Sequence, residues 1–269
     1  MEHSYVMKDI SNEQFVSEYL KCWLKAMEDD DMVAAWHGYH DWTVMHMNRI
    51  LYPLARALGA CEESGCENCQ KLHCKDMDKR CKYFCKMYAW TIQQEYYNID
   101  FSLYNSYAQS LWSLEYAVEH ENAEFVIKDD KIEHKGWFDE FAKLLPVKCG
   151  KARVIIGYDM FKENELNKKL EKAKELLTDI RVKRSIADSP IIIILFPYTK
   201  PIKKIVEKGK KDLKQLIKIC EFKKENSIEF NICDLTEKVL GLECTNGQTI
   251  SDALFEAYKK IAEYAEDKN

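Results

Sequence analysis

Six of the chain's eleven cysteines lie close together, at positions 61, 66, 69, 74, 81 and 85. Thiolates are soft donors, and a tetrahedral set of four suits zinc or an iron–sulfur cluster. Cys66 and Cys69 form a CxxC pair, and Cys81 and Cys85 a CxxxC pair. A short loop lets the two sulfurs of a pair converge. The zinc reading therefore takes Cys66, Cys69, Cys81 and Cys85 as ligands and leaves Cys61, Cys74 and the adjacent His73 as alternates or bystanders. The iron–sulfur reading takes Cys61, Cys66, Cys69 and Cys74, whose spacing departs from the dense ferredoxin run. Zinc needs only four ligands, so the surplus of thiols tips the balance towards iron–sulfur. A metal knot of either kind can also act only as a staple, since ligand convergence contributes folding energy.

A second candidate set is His37, His40 and Asp41, in the stretch Trp36-His37-Gly38-Tyr39-His40-Asp41-Trp42. If that stretch is helical, His37 and Asp41 share a face at i,i+4, with His40 on the neighbouring stripe. Such a group can bind a metal, or a carboxylate can orient an imidazole. These three are the candidate catalytic residues, set against a plain reading as core histidines among aromatics. His46 falls about 180° from His37 round an ideal helix, and joins the set only if the helix breaks at Gly38.

Two weaker sets follow. Asp129 or Asp130 with Glu133 and Lys135 evokes the acid–acid–lysine group of a magnesium nuclease on a hairpin. The aspartates fall in the turn, however, and alternation alone puts Glu133 and Lys135 on one face. Asp159, Tyr198, Thr199, Asp234 and Thr236 fall at the carboxyl ends of expected strands, where open parallel sheets bind ligands. No P-loop or GxGxxG is present, so nucleotide binding in those modes has no support. Residues 200–225 hold ten lysines and four acids, which reads as a solvated outer helix or as a face for an anionic partner.

Composition narrows the classes. The 269 residues carry a net charge of -5, with 46% hydrophobic and 32% charged residues. That is ordinary for a globular chain, and the overall charge argues against a protein that coats nucleic acid or an anionic membrane. An odd cysteine count rules out full disulfide pairing within one chain, the N-terminus lacks a signal-like apolar run, and the aliphatic run Ile191–Leu195 is too short to span a bilayer. A reducing cytoplasm is the expected compartment.

The elements that would position these residues are read from periodicity. Ser11 and Gln14 form a capping box ahead of a helix over 11–29, and a long helix follows over 32–59, kinked by Pro53. The cysteine-rich connection spans 60–81. An aromatic-rich region from Lys82 to about Glu119 reads as helical with a break around Asn98 to Ser102, completing an N-terminal all-helical bundle over 1–122. Its helices contain no Glu-x-x-His, which argues against a ferritin-like diiron site. A hairpin at 124–134 and a helix at 136–145 make up a linker over 123–147. A small three-layer α/β domain with a mostly parallel sheet fills 148–269: strands at 153–156, 190–196 and 228–232, and helices at 163–177, 201–219 and 251–264. The fold class expected is α+β overall. The function expected is a cytoplasmic metal-binding protein: an iron–sulfur redox or metal-assisted enzyme acting on a small molecule. The alternative is a non-catalytic regulatory or interaction protein with a structural zinc site and an anion-binding α/β domain.

Overall fold

The computed structural model describes residues 10–38, 41–58, 90–96, 99–108, 111–179, 186–209, 215–225, 229–244 and 247–264, without side chains for 90–96, 104–108, 111–113 and 163. The chain is a mixed α+β fold around a mostly parallel sheet. Helices α1 (Asn12–Ala26) and α2 (Asp30–Trp36) lead into a longer helical run. It comprises α3 (Trp42–His46), a π-helical turn (Met47–Leu51) and α4 (Tyr52–Ala57). The capping box at Ser11 and Gln14 is present in both directions, at 3.2 and 2.8 Å. Gly38, at φ 82°, breaks the helix expected over 32–59. Pro53 opens α4 straight after the π turn, where its missing N–H is tolerated.

Strands β1 (Trp90–Tyr96), β2 (Ile99–Ala108) and β3 (Leu111–His120) form an antiparallel meander. This corrects the expected all-helical bundle. The aromatic and branched residues read as a helical stripe in fact alternate, Phe101 and Leu103 on β2 packing with Tyr116 and Val118 on β3. A small hairpin follows, β4 (Val126–Lys128) and β5 (Lys131–His134), turning on Asp129 and Asp130 at φ 49° and 59°. Then come α5 (Trp137–Leu144), β6 (Ala152–Asp159), α6 (Glu163–Thr178), β7 (Ile191–Pro197) and α7 (Thr199–Lys208). The chain continues through β8 (Lys218–Lys224), β9 (Phe230–Asp234), α8 (Thr236–Leu240) and α9 (Ile250–Tyr264). The helix expected over 201–219 stops at Gly209, and its last residues begin β8.

The sheet order is β1-β2-β3-β6-β7-β8-β9. β3, β6 and β7 are parallel neighbours, while β8 and β9 return antiparallel, so only β2 and β8 oppose the rest. β3 and β6 are hydrogen-bonded, so the sheet runs straight through the boundary expected between 122 and 148. Both faces are covered. α1, α4, α7 and α9 contribute to a core with Val154, Ile156, Ile192, Ile194 and Phe196 on one side. α5 and α6 pack with Ala117, Ile155, Ile191, Ile193 and Leu195 on the other. Every residue of β7 is buried, as its unbroken apolar run requires. Among the described residues no helix is long and apolar enough to cross a membrane.

A guanidinium is buried against the sheet. Arg153 on β6 is fully buried. Its guanidinium donates to the carbonyls of Leu144 (3.2 Å), Leu145 (2.6 Å) and Ala187 (3.1 Å), and to that of Ser189. Burial lowers its pKa to about 10, so it stays charged at neutral pH. Arg153→Met should destabilise the protein by on the order of 3 kcal/mol, because the Ala187 and Ser189 carbonyls lose their donor, while those of Leu144 and Leu145 keep only the amides of Val147 and Ala187. Arg153→Lys should recover only part of that, lacking the planar fork. Urea unfolding measures both, and a midpoint unchanged in the Met variant would contradict the role.

Candidate functional site

The six clustered cysteines, together with His73 and His40, lie outside the described residues. The other two candidate catalytic residues are placed, and they do not meet. His37 caps the end of α2, where its Nε2 donates to the carbonyl of Ile261 (2.9 Å) and its ring stacks on Tyr264. Asp41 caps α3, accepting from the Val44 amide at 3.1 Å. Gly38 separates the two helices, so the i,i+4 relation never forms. The hairpin set is dispersed as well. β5 is exposed along its length, Glu133 faces Lys128, and Lys135 pairs with Asp139. The strand-end residues mostly serve the fold. Tyr198 donates to the carbonyl of Asn122, and Asp234 accepts from the amide of Thr236.

Asp159 does more. Its carboxylate lies 2.7 Å from Lys169 Nζ, which also meets Glu124 at 2.7 Å. Burial raises the Asp159 pKa against the pull of Lys169. Beside this ion triad is a cleft of about 310 Å³, lined by Ile127, Asp129, Asp130, Glu165, Lys168 and Lys169. With Lys169 neutralised by its partners, the cleft presents three carboxylates and one lysine.

The structure assembles a second acid–acid–lysine group that sequence reasoning missed. Ala117 and Glu119 on β3 face α5, while Val118 and His120 face the other side. The Glu119 side chain is 1% exposed, and Lys143 Nζ of α5 lies 2.7 Å from its Oε1 and 3.0 Å from Glu140 Oε2. Neither Glu119 oxygen has a hydrogen bond of good geometry, and Oε2 lacks even the ion pair that Oε1 makes with Lys143. Asp100 stands across the ladder, one step beyond the Phe101–Val118 pair, with its Oδ2 accepting from the His120 amide at 2.9 Å. Ser102, also on β2 and opposite Ala117, is fully buried with no partner for its hydroxyl. Burial pushes the Glu119 carboxyl up to about 8; Lys143 opposes the shift and the Asp100 charge adds to it. Burial works against the Lys143 charge, but its bonds to Glu119 and Glu140 outweigh that and hold its pKa high. Like charges directly across a sheet destabilise it, and a buried oxygen without a donor adds to the cost. The patch is therefore poorly satisfied by the protein alone. Among the described residues no group of three or more His, Cys, Asp or Glu is placed to hold a metal. A hard cation such as magnesium needs only one or two carboxylates when water and substrate oxygens complete its shell.

The opposite face of β3 carries a neutral counterpart. The rings of His46 and His120 stack at 4.1 Å. His46 Nε2 bonds the Tyr19 hydroxyl at 2.9 Å, and His120 Nε2 the Tyr158 hydroxyl at 3.1 Å. Trp42 Nε1 donates to the same Tyr158 oxygen. Burial lowers the pKa of both imidazoles, that of His120 to about 3. This group locks the helical run onto β3 and β6.

No family model matches the chain, and neither a curated protein nor a solved structure matches it.

A histidine whose folded pKa lies below its unfolded value, near 6.5, contributes stability that is present above 6.5. That contribution is lost as pH falls through the folded pKa. Wild-type stability should therefore decline from about pH 6.5 towards 3. His120→Leu should flatten that decline while being less stable at pH 7.5. Guanidinium unfolding across the range tests this, and parallel pH profiles for the two proteins would contradict it.

Proposed function

We infer that the chain is a metal-assisted hydrolase acting on a phosphate ester, with Asp100 and Glu119 as the carboxylates that hold a divalent cation such as magnesium or manganese. The observation that carries this reading is the buried Glu119 carboxylate, one oxygen against Lys143 and the other without a donor, facing a second acid across the ladder. In the metal-free protein Lys143 is the counter-charge once Glu119 ionises. A dication held by Asp100 and Glu119 would take over that role and leave the ammonium to face the anionic substrate. It would supply Lewis acidity, activating water and neutralising charge on the phosphoryl oxygens. Hydrolysis would join a water oxygen to phosphorus as the ester P–O bond breaks. One water proton leaves to solvent, and the departing oxygen takes one up. Asp100, Glu119 and Lys143 thus replace His37, His40 and Asp41 as the proposed catalytic group. A cytoplasmic setting remains the proposal on the cysteine arithmetic.

The six clustered cysteines favour a second reading: a zinc or iron–sulfur site among Cys61, Cys66, Cys69, Cys74, Cys81 and Cys85. In that case the protein is a redox enzyme, or a regulatory protein if the metal is purely structural. Metal analysis and a visible spectrum after anaerobic purification decide it. Stoichiometric iron with colour supports the cluster, one zinc supports the structural site, and neither metal sinks both.

For the carboxylate pair, calorimetric titration of chelator-treated protein with manganese should give saturable binding. Asp100→Asn and Glu119→Gln should each weaken it at least about tenfold; unchanged affinity in both would overturn the assignment. The same Glu119 variant separates function from structure. A carboxyl whose folded pKa is raised contributes stability that is present below its unfolded value of 4.5 and lost as pH rises through about 8. Without metal, Glu119→Gln should therefore lose less stability than wild type between pH 5 and pH 8.5, although it no longer binds manganese.

A further inference from the structure

Helix α7 has two unlike faces. Pro201, Ile202 and Ile205 are buried against the sheet and α9. The outer face carries Lys200, Lys204 and Lys208, all exposed, with Lys203 half-buried beside them. Spaced four residues apart, the three exposed lysines form a stripe about 12 Å long. The only acid on the helix is Glu207.

The usual account of exposed lysines is a solvated face balanced by neighbouring acids, and other helices fit it. Lys21 pairs with Glu18, Lys25 with Glu28, Lys162 with Glu165, Lys172 with Glu175 and Lys259 with Glu256. Among the described residues, none of the four lysines on α7 has an ion pair or a hydrogen bond. Helix stability does not explain them either. Lys200 sits in the first turn, where the macrodipole disfavours a cation, and no acid accompanies it there. The outer face shows no large apolar side chain to enter a bilayer, so a membrane surface lacks its usual anchor. An evenly spaced row of unpaired ammonium groups suits a polymer of phosphates, which offers one charge per roughly 3.4 Å of strand.

We propose that the outer face of α7 binds the phosphate backbone of a nucleic acid. The net charge of -5 argued against this only as an average over the whole chain; the stripe is locally positive. α7 leaves the carboxyl end of β7 on the face of the sheet covered by α1 and α9, whereas Glu119 and Lys143 lie on the α5 face. The stripe and the carboxylates therefore share an end of the sheet but not a face. The docking surface does not rest on the metal-assisted reading above.

The test is fluorescence anisotropy with labelled single-stranded and duplex DNA and RNA, in chelator, at several salt concentrations. Wild type should bind, with affinity falling steeply with salt. A Lys200→Gln/Lys204→Gln/Lys208→Gln variant should bind at least about tenfold more weakly and lose roughly three units of salt slope. A charge-matched control, Lys162→Gln/Lys172→Gln/Lys259→Gln, should bind as wild type does. Circular dichroism confirms the fold of both. No binding by wild type, equal loss in the two variants, or stronger binding to phosphatidylserine vesicles than to nucleic acid would each overturn the proposal. The measurement excludes metal and does not depend on the carboxylate pair. Failure of the manganese titration and failure of this experiment are thus separate outcomes.

Discussion

The buried guanidinium of Arg153 is the interaction on which the rest depends. It projects from the central parallel strand β6 and meets the carbonyls of Leu144 and Leu145, the end of α5. A helix terminus buried without partners is costly; here the amides of Val147 and Ala187 donate to these two carbonyls, and the guanidinium adds a second donor to each. The same fork reaches Ala187 and Ser189, on the segment that delivers the chain into β7, and the Arg153 amide donates to Pro190. One residue therefore fixes how α5 lies on the sheet and where β7 enters it. Lys143 immediately precedes Leu144. Placing the end of α5 also places the ammonium that faces Glu119.

β3 carries two polar residues in succession, and strand geometry sends them to opposite faces. His120 goes into an aromatic nest with His46, Tyr19, Tyr158 and Trp42, where staying neutral avoids the cost of a buried charge. Glu119 goes to the α5 side, where no neutral solution exists at alkaline pH and Lys143 balances only one oxygen. The first is a structural arrangement in which only His120 Nδ1 is left unpaired. The second keeps Glu119 Oε2 and Ser102 Oγ unsatisfied within one patch. Departures of this kind cluster at functional sites, where a ligand completes what the protein leaves open. That contrast, rather than residue type, separates the two groups.

Much of the architecture was legible in the residues. The Ser11–Gln14 box marks the start of α1, Asp129 and Asp130 mark the hairpin turn, and the unbroken apolar run of β7 declares a strand buried on both faces. The aromatic meander was not legible, because a dense run of tyrosine and tryptophan satisfies helical spacing as readily as alternation. The start of β8 was lost for a related reason: its residues continue the lysine-and-isoleucine rhythm of α7 across Gly209.

The sequence by itself determined that the chain is a mixed α+β protein with a buried parallel element, that it carries a dense cysteine cluster, and that its lysines concentrate after residue 200. Only the tertiary structure decided that His37 and Asp41 cap separate helices, because a positive φ at Gly38 turns the chain between them. Only the tertiary structure brought Asp100, Glu119 and Lys143 together. The first two are nineteen positions apart and meet through the register of an antiparallel ladder. The third arrives on a crossover helix whose position Arg153 sets. Neither register nor crossover packing is written in local periodicity, since both follow from how whole faces of strands and helices bury one another.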